Sequence, residues 1–161
     1  MNKGKSRSLV LGGMIAAQYV VLTLVSSVAG LASGAIQIRL SEALTVLPCF
    51  TSAAVPGLFV GCIIANILSG CALWDVVFGS LATLLGAVGT RLLRHNKLLA
   101  VFAPVISNTL VIPLVLMKVY SLETALPLLI LSVGVGEIIS CGVLGLLLHG
   151  VLKKRFRYLQ D

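Results

Sequence analysis

Apolar runs of about 20 residues, the length that crosses a bilayer as a helix, succeed one another along nearly the whole chain. Short polar or basic stretches are all that separate them. Lipid offers no hydrogen-bond partner to the backbone, so runs of this kind fold as helices or as closed barrels. These are continuous rather than alternating, which favours helices. With 58% hydrophobic residues, 11% charged and a mean hydropathy of +1.11, the chain does not have the make-up of a water-soluble domain.

The runs cover residues 8–29, 39–50, 53–68, 73–93, 98–119 and 122–152. The second is short and holds Glu42 and Pro48, so it is expected to be tilted, kinked or only partly spanning. The sixth exceeds what a bilayer needs, so one end is expected to project. The expectation is an all-α bundle of six transmembrane helices, one integral membrane domain over residues 1–161, with no linker, low-complexity tract or internal repeat. Residues 30–39, rich in Gly and Ser, form a candidate extracellular lid.

Charge orients the bundle. Ten of the 12 Lys and Arg fall in three clusters: Lys3, Lys5 and Arg7; Arg91, Arg94 and Lys97; Lys153, Lys154, Arg155 and Arg157. Six spans put all three on one side, which the positive-inside rule makes cytoplasmic, with both termini. Arg39 and Lys118 fall on the other side. The net charge of +7 is therefore topogenic, and scattering at helix ends argues against nucleic acid. The first run is longer than a signal-peptide core, and its loss would break the even count, so it is read as retained.

Familiar chemistry is missing. Cys49, Cys62, Cys71 and Cys141 show no C-x-x-C or Cys/His spacing and read as small buried residues rather than metal ligands or a disulfide. His95 and His149 read as interface residues. There is no G-x-x-x-x-G-K-[ST] for nucleotide phosphates, and Gly134-Val135-Gly136 reads as a close helix contact. No nucleophile has a paired base. The chain is expected to hold no catalytic residue, metal or cofactor.

A polar set on the opposite side from the basic clusters remains. Arg39 and Glu42 open the second span, Asn66 lies near the outer end of the third, and Trp74 and Asp75 open the fourth. Asn108 lies ~15 Å below the outer end of the fifth, and Glu137 ~20 Å into the sixth, at 1.5 Å per residue. Each has a plain alternative. Trp74 could be an interfacial anchor, Asp75 a helix cap, Arg39 and Glu42 a local pair, and Asn66 and Asn108 interhelical hydrogen bonds. Glu137, a carboxylate at mid-membrane, marks a functional site by default. Three acids, one base, two amides and an indole suit a flat, N–H-rich or cationic heterocycle, such as a guanine-like ring carrying an amine. A long acyl chain, sugar or anion fits poorly. The expected orientation sets Glu137 on the base edge, and Glu42 or Asp75, nearer the mouth, on the amine.

The segments IQIRLSEALTVLP (36–48), VPGLFVGCIIAN (55–66) and LWDVVFGSLAT (73–83) resemble the signatures of the QueT family, and the resemblance extends over about residues 8–152. It implies a substrate-binding S component of an energy-coupling factor (ECF) transporter, in the plasma membrane, taking up 7-deazaguanine precursors of queuosine. It further implies a transmembrane T component and two ABC-type ATPases as partners, ATP being used by those ATPases. S components tend to carry A-x-x-x-A on the first helix, where the T component packs. Gly13 to Ala17 and Gly12 to Ala16 offer the same small-residue spacing, with packing inside the bundle as the alternative. The rival readings are a stand-alone proton-coupled transporter using Glu137, and a membrane enzyme acting on lipids.

Overall fold

The computed structural model describes residues 3–31, 36–119 and 125–158. Among these the chain is all-helical: α1 (Lys3–Val28), a 3-10 helix (Leu40–Cys49), α2 (Ala54–Leu68), α3 (Leu73–Leu92), α4 (Lys97–Val119), α5 (Leu126–Glu137), a π-helical segment (Ile138–Leu144) and α6 (Gly145–Tyr158). The last three run on as one rod. Residues 32–35 of the expected lid, and 122–124 of the sixth expected span, lie outside the described residues.

Four helices among the described residues are long and apolar enough to cross a membrane: Gly4–Val28, Leu73–Leu92, Lys97–Lys118 and Leu126–Arg155. The other two are shorter. Leu40–Cys49 has ten residues and Ala54–Leu68 has 15, ~20 Å and ~22 Å long against a core of ~30 Å. Four of the six expected runs are thus long enough to cross alone, and the short second run and the third are the two shorter apolar helices packed among them.

Local chemistry explains where elements stop. Gly30 and Gly70 both take φ +71°, the left-handed turn that ends a helix. In each case the next amide reaches back five residues, Leu31 to the Ser26 carbonyl and Cys71 to that of Asn66, both at 3.0 Å. Asn96 opens α4, its Oδ1 accepting the Leu98 amide at 3.1 Å. Pro104, inside α4, has no amide to give the Ala100 carbonyl. The Thr90 hydroxyl on α3 donates to that carbonyl instead, at 2.9 Å.

The helices pack in two close pairs, α1 on α2 and α3 on α4, made close by glycine. A Cβ on Gly57 would stand 2.6 Å from the Gly12 carbonyl, and one on Gly86 2.7 Å from Pro104 Cα. The 3-10 helix lies between them and touches α1, α2, α3, α4, α6 and the π segment. Its leading amides are satisfied by side chains of other helices: Ser26 Oγ accepts from Leu40 and Ser140 Oγ from Arg39. At its far end Arg91 donates to the Pro48 carbonyl at 3.0 Å. Tyr19, Leu44, Leu58 and Cys62 are among the core residues, while Leu9, Leu73, Leu92 and Leu110 face outward. An apolar exterior around a core rich in small and polar residues is what lipid, rather than water, selects.

The basic clusters gather at one end. Lys5 lies in the groove by Pro56, Phe50 packs on His149 with ring centroids 5.0 Å apart, and His149 feels the charges of Lys97 and Lys153.

Candidate functional site

The polar residues meet at mid-depth. Asn108 lies eleven residues from the end of α4, and Glu137 eleven from the start of α5, each ~17 Å in. Between them and α3 sits a small cavity of about 20 Å³, room for about one water. It is lined by Gln37, Arg39, Glu42, Gly79, Thr83, Asn108, Ile112, Val133 and Glu137. Four of the seven sequence-derived candidates, Arg39, Glu42, Asn108 and Glu137, thus share one cavity.

Glu42 is the most enclosed of them, only 2% exposed. Tyr19, on α1, donates its hydroxyl to Oε1. Asn108 Nδ2 donates to Oε2 at 3.4 Å, and the Cys141 thiol stands 3.9 Å from the same oxygen. The neighbouring Ser41 hydroxyl accepts from Thr23 at 2.8 Å, so α1 holds this turn at two points. Glu137 Oε2 lies 3.2 Å from Cys141 Sγ. The thiol therefore sits between two carboxylates. Arg39 supplies positive charge close to Glu42 and Asp75.

The expected depth order changes here. Glu42 is not at a mouth: it lies level with Tyr19 and Glu137, because residues 36–39 enter the bundle before the 3-10 helix begins. Gly136 permits that entry, since a Cβ there would collide with the Gln37 carbonyl.

Asn66 stands near the C-terminal end of α2 and Asp75 near the N-terminal end of α3. Both are buried, and they flank Gly79, whose missing Cβ would meet Asn66 Nδ2 at 3.3 Å and Asp75 Oδ1 at 3.5 Å. Trp74 is not brought to the cavity. It is 59% exposed, stacks on Phe78 at 5.8 Å, and lines an outer groove with Val111, Leu114 and Lys118. One residue before Asp75 on a helix, it necessarily points about 100° away.

Tyr19, Gln37, Thr83 and Cys141 were not singled out from sequence. Cys141 follows Glu137 by four residues, a helical spacing that signals a shared face. Nothing in the sequence distinguishes Tyr19 from a packing residue. Cys141 also brings its donor atom within 4.8 Å of those of Glu42 and Glu137, close enough to consider a metal ion. The Glu42 oxygens, however, already accept from Tyr19 and Asn108, and Arg39 sets a positive charge beside them. The arrangement suits N–H donors better than a bare ion.

The small-residue stripe on α1 divides. Gly12 and Ala16 are buried against α2, Ala16 beneath Gly61, at the floor of a groove. Gly13 and Ala17 are exposed. Of the four residues expected at a partner contact, Gly12 and Ala16 lie against α2 at the floor of that groove, because Gly57 and Gly61 let α2 approach on that side.

The QueT transporter family matches residues 9–154, and the chain belongs to that family, one of transporters rather than enzymes. A relative, the queuosine precursor transporter QueT of Lactococcus lactis subsp. cremoris (strain MG1363), is 36% identical over 85 residues. That match spans 52% of this chain and 49% of the relative, so about half the length of the relative is covered. No solved structure matches.

Proposed function

We propose that this member of the QueT transporter family is a membrane-embedded capture subunit, the S component of an ECF importer, for a 7-deazaguanine precursor of queuosine. The observation that carries the reading is the mid-depth cavity walled by Glu42, Glu137 and the Asn108 amide, with Arg39 as its one basic lining residue. Two carboxylates face one guanidinium there, and low surrounding polarity strengthens each bond made. A bicyclic base with two N–H donors on one edge, carrying an ammonium in its aminomethyl form, answers that set. The named substrate of the Lactococcus relative supports the same class.

In this reading the helices form one six-span domain in the plasma membrane. The basic end is cytoplasmic with both termini, and the cavity opens outward. A cavity the size of a water cannot admit a bicyclic ring, so entry requires a wall to move. Gln37 and Arg39, cavity-lining residues that lie outside helices, support a lid in the segment around them. Lacking a phosphate-binding loop, the chain depends on a T component and two ABC-type ATPases for ATP-driven release inward, and holds no cofactor of its own.

Titration calorimetry of the purified chain in detergent, without ATP, tests the ligand class. Saturable heat is expected with the aminomethyl, nitrile or queuine form. Heat with thiamine or riboflavin and none with the three deazaguanines would overturn it. The paired carboxylates keep one second reading in view, a stand-alone proton-coupled transporter. Uptake into liposomes driven by a pH gradient, with no ATPase present, would favour that reading over the S component.

A further inference from the structure

We infer that Asn108 selects for an exocyclic amine on the bound base, and that Glu42 is the positioning residue that aims it. The inference rests on the 7-deazaguanine reading above and assigns roles within that site. An ionised carboxylate only accepts hydrogen bonds. Both Glu42 oxygens are engaged, one by the Tyr19 hydroxyl and the other by Asn108 Nδ2 at 3.4 Å. With its NH2 committed to the carboxylate side, Asn108 must turn its carbonyl oxygen away. That oxygen, Oδ1, is buried and has no hydrogen-bond partner, on a residue only 3% exposed that lines the cavity. Buried acceptors in folded proteins are ordinarily satisfied, so an orphan on a cavity-lining residue calls for a ligand donor.

Glu137 lines the same cavity, with Cys141 Sγ 3.2 Å from its Oε2 and the Asn108 side chain beside it. Its carboxylate and Asn108 Oδ1 make two acceptors for two adjacent donors. The ring N1–H and 2-amino group of a guanine-like base are such a pair. A base without the amino group presents C–H where Asn108 Oδ1 needs N–H, and the acceptor stays unpaired. Sites built to hydrogen-bond a group reject analogues lacking it far more strongly than apolar pockets reject a missing methylene. Glu42 acts through Asn108: its acceptor-only character fixes which end of the amide faces the ligand.

Calorimetric titration in detergent with two probes decides the matter: 7-deazaguanine, and 7-deazahypoxanthine, the same bicycle without the 2-amino group. The parent chain should favour 7-deazaguanine by about ten- to hundredfold. Asn108→Ala should collapse that ratio towards one, chiefly by weakening 7-deazaguanine. Glu42→Gln, whose amide can also donate, should let Asn108 turn over, lowering the ratio while 7-deazahypoxanthine still binds. A merely structural role for either residue would weaken both probes alike and leave the ratio unchanged, which would overturn the inference, as would a parent chain that binds both equally. If Asn108→Ala binds neither probe, Glu42→Gln decides, and a full parental ratio there overturns the proposal. A parent chain that binds neither probe overturns the inference, while the ligand class is decided separately by the aminomethyl, nitrile and queuine forms.

Discussion

Tyr19 lies in the middle of α1, 1% exposed, with its hydroxyl on the Glu42 carboxylate. Burial of a carboxylate this complete is tolerable only while donors surround it. Tyr19→Phe keeps the ring and removes one donor, so it isolates the bond from the packing. Leaving a buried acceptor short of a donor costs roughly 1–3 kcal/mol, and each kcal/mol lowers the midpoint by about 2–4 °C in a chain of this size. Thermal unfolding in detergent should show a fall of several degrees, and an unchanged midpoint would mean the hydroxyl contributes nothing. Glu42, Asn108 and Glu137 were legible in the sequence because charge and amide stand out where nearly every neighbour is apolar. Tyr19 and Cys141 were not, since both pass for ordinary core residues among so many others. Trp74 was ambiguous for a different reason: an indole suits a ligand stack and a membrane interface equally, and its exposed position decides for the exterior.

At the scale of elements, periods and punctuation carried most of the reading. The runs expected at 73–93 and 98–119 appear as Leu73–Leu92 and Lys97–Val119, their ends set by Gly70, by Asn96 and by the basic turn between them. The winding of 40–49 was not legible, because a 3-10 and a short α-helix share the same apolar composition. The π segment was equally silent, since its inward residues, Ser140 and Cys141, sit at spacings from Glu137 that an α-helix would also give. Helix pairing is where sequence and geometry make a sharp test. A Cβ at Gly57 would meet the Gly12 backbone at 2.6 Å, whereas one at Gly13 would meet nothing within 4 Å. Gly57→Ala must push α1 and α2 apart, at a cost of roughly 1–3 kcal/mol. Gly13→Ala fills empty space on a helix and should gain up to about 1 kcal/mol. Thermal midpoints in detergent should therefore move in opposite directions for two neighbouring glycine positions of one helix pair. Shifts of the same sign and size would refute the close approach.

For the whole molecule, the question is how a cavity within the bundle communicates with proteins outside it. An even number of crossings, the count expected from the sequence, would return each basic cluster to the same side. Which small residues of α1 remain available was not legible in the sequence, because that depends on where α2 docks. With Gly12 and Ala16 packed against α2, Gly13 and Ala17 are left exposed one turn apart, a flat strip where a partner helix can approach closely. Neither residue lines the cavity, which is built from residues 37–42, α3, α4 and α5. Leucine at either position would therefore leave the site intact while holding a partner helix at a distance. The S-component reading predicts that Gly13→Leu and Ala17→Leu bind the deazaguanine with the affinity of the parent chain, yet fail to support ATP-dependent uptake when coexpressed with the T component and ATPases. Calorimetry and whole-cell uptake on the same variants separate the two. Lost binding would mean the strip packs against the bundle after all, and undiminished uptake would mean the partner docks on another face.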